Sequence, residues 1–227
     1  ELDRLAADIR RQIPETADGD ATLAVLNRVL FDELGFHGSR GDYYNRSNSY
    51  VNEVLDDREG IPISLAVVYM ELARRLGLAV DGVGFPGHFL VQYTPDAGEP
   101  RWLDIFDRAA VRTRDDLAAE RDEAGAELND TDLAVAGPRA ILTRMLNNLL
   151  GIAVREGKQA DVLRYLDATL VIEPDSARDR VMRMIASARL GRRTAALADA
   201  RGLLDHEPPG IDLDPVRGLI ARLESEP

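Results

Sequence analysis

The chain has 227 residues and a formal net charge of −12, from 28 Lys and Arg against 40 Asp and Glu. A hydrophobic share of 45% beside 30% charged residues describes a soluble globular chain of one large or two modest domains, not a disordered one. The acidic balance argues against nucleic acid or an anionic membrane surface as partner, and the absence of cysteine removes disulfides, thiolate metal sites, iron–sulfur clusters and a cysteine nucleophile.

No apolar run approaches the roughly 18 residues of a membrane span. The three histidines, His37, His88 and His206, form no H-x-x-H or H-E-x-x-H pair, so neither a zinc site nor any other metal is expected. No glycine-rich nucleotide-binding string occurs, and no cofactor is expected. Numbering opens at Glu1, which leaves removal of a leader open.

In chain order, Leu23, Leu26, Val29, Leu30 and Leu34 recur at spacings of three and four, which predicts an amphipathic helix. A loop rich in glycine and tyrosine follows from Gly35 to Tyr44, then a short helix with Tyr50, Val51, Val54 and Leu55 on its apolar side. After Gly60 a second helix begins, with Pro62 near its first turn, where a missing N–H costs nothing. Apolar nearly all round from Leu65 to Leu76, it belongs inside a domain, and Gly77 ends it.

The period then shifts towards two, predicting strands at Val80 to Phe85, Phe89 to Tyr93 and Trp102 to Phe106, with a turn-rich connection from Thr94 to Arg101. Helices first and adjacent strands later give an α+β lobe with a small antiparallel sheet, covering residues 1–112. Residues 113–137 carry eight acidic residues against Arg114 and Arg121, and read as a solvated acidic helix and linker.

Residues 138–227 form an all-α region with an internal repeat. Gly157 and Gly191 lie 34 residues apart, as do Pro174 and Pro208, Arg155 and Arg189, Leu163 and Leu197, and Leu170 and Leu204. A 34-residue period with a glycine at mid-repeat and a closing proline resembles the tetratricopeptide repeat, a helix–turn–helix unit.

Three residues of the first lobe share a chemical logic. Ser64 sits in the first turn of the buried helix, where unpaired N–H groups and the helix dipole favour a developing anion. His88 follows Pro86-Gly87 at the start of one strand, and Asp104 lies within the next. Neighbouring antiparallel strands would set Asp104 against His88 and fix its tautomer, giving nucleophile, base and orienting acid in the order Ser, His, Asp. Spacing alone equally allows a capping serine, a structural histidine and a strand-end aspartate.

The stretch from Gly60 to Leu78 resembles the core helix of transglutaminase-like proteins, with Gly87-His88-Phe89 similar to their histidine strand and Trp102-Leu103-Asp104 to their aspartate strand. The string from Phe31 to Tyr44, the segments Asn48 to Leu55 and Arg144 to Leu149, and the following repeats resemble the SirB-type branch, which joins such a core to tetratricopeptide repeats. The resemblance implies a papain-like α+β core in a bacterial, cytoplasmic protein, with Ser64, His88 and Asp104 on the triad positions. Serine stands here where active relatives have cysteine, and a hydroxyl needs a well-aimed base to attack anything.

Two readings follow. In one, the core is a degenerate enzyme serving as a scaffold, and the repeats bind a protein or peptide partner. In the other, a serine-dependent amide or ester hydrolase or acyltransferase uses Ser64, His88 and Asp104, with Tyr43, Tyr44, Asn48 and Asn52 shaping substrate recognition at the mouth.

Overall fold

The computed structural model describes residues 1–225, which divide into two compact units, Glu1–Ile141 and the described residues from Leu142 onward. In the first, α1 (Leu2–Arg10) buries Leu5, Ala6 and Ile9, and α2 (Gly19–Asn27) starts where the Asp18 carboxylate caps the Ala21 N–H at 2.8 Å. The heptad-like apolar spacing after Leu23 is helical only to Asn27 in the ordinary sense. Residues Arg28–Glu33 widen into a π-helical turn that buries Val29, Leu30 and Phe31 together. A 3₁₀ turn (Arg46–Ser49) precedes α3 (Val51–Asp57), and β1 (His37–Gly38) pairs in parallel with β2 (Glu59–Gly60), a contact without a sequence signal.

Helix α4 (Pro62–Leu76) is the buried centre of this unit, with Leu65, Ala66, Val68, Tyr69, Leu72 and Ala73 all withdrawn from solvent. Pro62 occupies its first position. Gly77, at φ 88°, closes it, so that the Leu78 N–H returns to the Ala73 carbonyl. The Tyr69 hydroxyl donates to Asn27 Oδ1 at 2.6 Å and ties α4 to the end of α2, while burial pushes its phenol well above the ordinary pKa.

Four strands, β3 (Ala79–Val83), β4 (Leu90–Thr94), β5 (Arg101–Asp104) and β6 (Ala110–Arg112), form an antiparallel meander in sequence order. The register sets Val83 opposite Leu90, Gln92 opposite Trp102, and Asp104 opposite Ala110. The strand expected to run to Phe106 stops at Asp104, because the chain must turn at once into β6. Arg108 and Ala109 make that turn with φ of 56° and 59°, a left-handed pair that side chains rarely adopt.

The acidic segment 113–137 is not a linker. Thr113 caps α5 (Arg114–Glu123) and exchanges hydrogen bonds with Asp116 in a capping box. Leu117 and, from the 3₁₀ turn Asp130–Leu133, Leu133 pack with Val83, Phe85 and Leu90. The Ala136 N–H then donates to the Gly82 carbonyl at 2.8 Å. A few apolar residues among many acids suffice to seat the segment on the sheet, so it belongs to the first unit.

Chain order continues through α6 (Pro138–Arg155), α7 (Gln159–Ile172), α8 (Ala177–Arg189), α9 (Arg193–His206) and α10 (Asp214–Ser225). The starts of α7 and α9 lie 34 residues apart, as do their ends and the ends of α6 and α8. Gly157 and Gly191 sit at the same place in each repeat with φ of 68° and 69°. Met184, Ala196, Ala200, Leu203, Val216 and Leu219 form the core shared by α8, α9 and α10, and Arg183 pairs with Asp199 at 2.6 Å beside it.

Because Leu117 is fully buried against the sheet, Leu117→Ala is expected to destabilise the protein by about 2–5 kcal/mol in urea unfolding. A solvated linker would lose almost nothing.

Candidate functional site

The site is assembled around a turn. Phe85, Pro86, Gly87 and His88 form a β-turn closed by the His88 N–H donating to the Phe85 carbonyl at 3.0 Å, and Gly87 takes φ of 80°. Proline at the second position and a positive-φ glycine at the third are what a type II turn demands. His88 therefore stands just before β4, not inside a strand. Asp104 is the last residue of β5 rather than a mid-strand residue. The antiparallel register still brings them together, with His88 Nε2 lying 2.7 Å from Asp104 Oδ2.

Asp104 is buried, and its other oxygen accepts from the Asp107 N–H at 3.2 Å, while the Arg112 guanidinium stands 3.8 Å away. Burial alone would raise its pKa. The hydrogen bond and charge of His88, the Asp107 amide and Arg112 outweigh that and leave the carboxyl below the ordinary range. An ionised Asp104 accepts only, so Nε2 carries the proton, and in the neutral ring the lone pair is on Nδ1. Arg112 is held in turn by Glu120 of α5 at 2.8 Å.

Above the pair lies an aromatic surface. The Phe106 ring stands edge-on to His88 at 6.4 Å between centroids and edge-on to Tyr43 at 6.3 Å, and Tyr43 meets Tyr44 at 5.3 Å. Arg40 lies over Phe106 at 5.3 Å and pairs with Asp107. Gly38 is required beneath this ring, since a Cβ there would come within 2.5 Å of it. Tyr43 and Tyr44 thus stand, half-exposed, within ring contact of that aromatic surface, Tyr43 against Phe106 and Tyr44 against Tyr43.

The other expected residues are elsewhere. Asn48 is buried and donates to the Asp42 carbonyl at 2.7 Å, which makes it a brace for the loop. Asn52 is exposed on α3 and bonds its neighbour Glu53. Ser64 is fully buried. Its hydroxyl donates to the Asn48 carbonyl at 2.5 Å, lies 3.1 Å from the Ile61 carbonyl, and accepts from the Ile61 N–H at 3.1 Å. Every one of these partners is backbone, and His88 is not among them.

That geometry is half of a capping box, in which the third helical residue reaches back to the N-cap amide. Of the two roles that the spacing allows, these hydrogen bonds describe capping. The Ile61 N–H donates both to the Ser64 hydroxyl and to the Asn48 carbonyl, so the hydroxyl closes a three-way contact with backbone. Arg40, Phe106 and Arg112 are given no role by the sequence, although Arg40 lies in the string from Phe31 to Tyr44 and Phe106 ends an expected strand. No group of three or more His, Asp or Glu is placed to hold a metal among the described residues. None of their helices is long and apolar enough to cross a membrane.

Core helix, antiparallel meander and histidine–aspartate pair define a transglutaminase-like protein, and the profile of the Transglutaminase-like superfamily matches residues 1–147. The chain belongs to that superfamily and, within it, to the SirB-type branch. A UPF0162 protein of Xylella fastidiosa (strain Temecula1) is 37% identical, with 96% of this chain and 79% of the relative covered. Protein SirB1 of Salmonella typhimurium is 26% identical over 97% of this chain and 81% of its own length. Human F-box only protein 21 is 38% identical over 74% of this chain but only 27% of that protein. No solved structure matches.

Asp104 titrates below the carboxylate value of 3.8, so its contribution to stability is fully present above that pH and fades as pH falls through the folded-state value. The gap in urea midpoint between the wild type and Asp104→Asn is expected to be clear at neutral pH and to close as pH falls below 3.8. Gly87→Ala, strained at positive φ, is expected to cost about 1 kcal/mol and to shift the His88 ring resonances in NMR spectra.

Proposed function

We propose that this protein is a transglutaminase-like scaffold that works as a protein- or peptide-interaction module, and that it does not perform serine-dependent acyl transfer. The observation that carries this reading is the Ser64 hydroxyl, fully buried and committed to the backbone of Asn48 and Ile61. A nucleophile must present its oxygen to a carbonyl with the base in reach. Here attack would require breaking two hydrogen bonds and opening a sealed helix start. The acidic chain and its helix pairs at a 34-residue period support a partner of protein nature, bound through the repeat helices. Nucleic acid remains disfavoured by charge, and a cytoplasmic setting agrees with a chain that lacks cysteine.

The competing reading, a serine hydrolase or acyltransferase using Ser64, His88 and Asp104, has one observation in its favour, the 2.7 Å contact between His88 and Asp104. A general base oriented in this manner serves catalysis only with a nucleophile beside it.

Treatment with a fluorophosphonate probe followed by peptide mass spectrometry decides between them. The scaffold reading expects no adduct on Ser64, and ester hydrolysis equal in the wild type, Ser64→Ala and His88→Ala. An adduct on Ser64 that disappears in His88→Ala would establish the hydrolase instead. Independently, Ser64→Ala is expected to lower stability by about 1 kcal/mol, because the Asn48 carbonyl and the Ile61 N–H each lose one hydrogen bond and keep the 3.2 Å bond between them.

A further inference from the structure

The second unit has an apolar groove whose charges define which way a ligand lies. Between α8 and α10 run two adjoining depressions of about 360 and 500 Å³, both lined by Ile185, Leu219 and Arg222. Ile185 is 40% exposed, although it belongs to a helix that otherwise supplies the core of this unit. Asp212 lines only the first depression, Arg189 lines only the second, and Arg222 lines both.

The two arginines differ from those that tie the helices together. Arg183 binds Asp199 and Asp167, Arg201 binds Glu224, and Arg217 binds Asp214. Arg189 and Arg222 have no carboxylate partner among the described residues, in a chain whose net charge is −12 and which holds acids in excess. Each stands in the last turn of its helix. The helix dipole there accounts for roughly half a charge per helix, which leaves this end of the groove cationic. Guanidinium groups without a carboxylate partner among the described residues, beside apolar side chains, suit a ligand that brings carboxylates to them and methyl groups to the surface between.

We infer that the groove between α8 and α10 binds a short amphipathic peptide segment of another protein, with apolar side chains in the two depressions and carboxylates on Arg189 and Arg222. This inference rests on the module reading above and gives that partner its chemistry. The groove is about 12 Å long from Val181 to Arg189, eight residues along a helix. That length takes about two helical turns of ligand, enough for two apolar anchors and the acidic residues after them. Asp212 lines only the depression that Arg189 does not reach and disfavours carboxylates there, so the segment lies one way.

The test uses the full chain and two fluorescein-labelled peptides with a Leu-x-x-Leu-Leu core, one followed by two glutamates and the other by two lysines. Fluorescence anisotropy is expected to show the glutamate peptide binding about tenfold more tightly, with its affinity falling as salt rises. The double variant Arg189→Glu/Arg222→Glu, whose side chains are exposed, is expected to reverse the preference while circular dichroism stays unchanged. Arg189→Gln/Arg222→Gln is expected to abolish the preference without reversing it.

Equal binding of both peptides, no binding of either, or a preference that survives the double reversal overturns the inference. So does a dimer in sedimentation that the Arg222→Glu change dissociates, since the occupant would then be a second copy. Fluorophosphonate labelling of the same preparation separates the two levels. An adduct on Ser64 defeats the module reading, whereas an unlabelled Ser64 with indifferent peptides defeats the groove alone.

Discussion

At the start of α4 one hydroxyl joins three parts of the chain. Ser64 accepts from the Ile61 amide and donates to the Asn48 carbonyl, so helix, preceding strand segment and the 3₁₀ turn meet at one buried atom. Gly60 completes the arrangement, because a Cβ there would stand 2.8 Å from the Ser64 oxygen. An unpaired polar group at this depth costs more than a typical hydrogen bond gains, so residues on all three segments are constrained together. The same constraint keeps the Ser64 hydroxyl buried on backbone partners.

The histidine and aspartate obey a different logic. Their contact depends on sheet register and on two turns, the type II turn before β4 and the left-handed pair Arg108-Ala109 after β5. Burial works against the Asp104 charge, and His88, the Asp107 amide and Arg112 more than compensate. Glu120 steadies Arg112 from α5, which makes the acidic segment part of the electrostatic surroundings of the site. The charged pair is maintained at this depth with an aromatic surface beside it.

In the second unit the charges divide between holding the helices and facing outward. Arg183, Asp199 and Asp167 link α8 to its neighbours, in a geometry close enough to lower the cost of burying Asp199. Arg189 and Arg222 point into the groove instead. The 34-residue repeat places equivalent glycines at equivalent turns, which sets how the helix pairs follow one another.

Much of this was legible from sequence, where the physics is local. The all-round apolar pattern of Leu65 to Leu76 announced a buried helix, Gly77 its end, and the change of period the sheet. The 34-residue spacing marked the helix pairs, and the resemblance of Gly87-His88-Phe89 and Trp102-Leu103-Asp104 pointed to two residues that do meet. Tertiary structure decided what spacing could not. Whether a first-turn serine faces a base or its own helix depends on the loop that brings the Asn48 carbonyl over it, sixteen residues away. Leu117 and Leu133 turned an acidic stretch into part of a core because the sheet offered Phe85 and Leu90 to them. Local patterns fix elements through backbone sterics and periodic burial. The direction of a single hydroxyl is fixed by partners distant in the chain, and no pattern along the sequence records them.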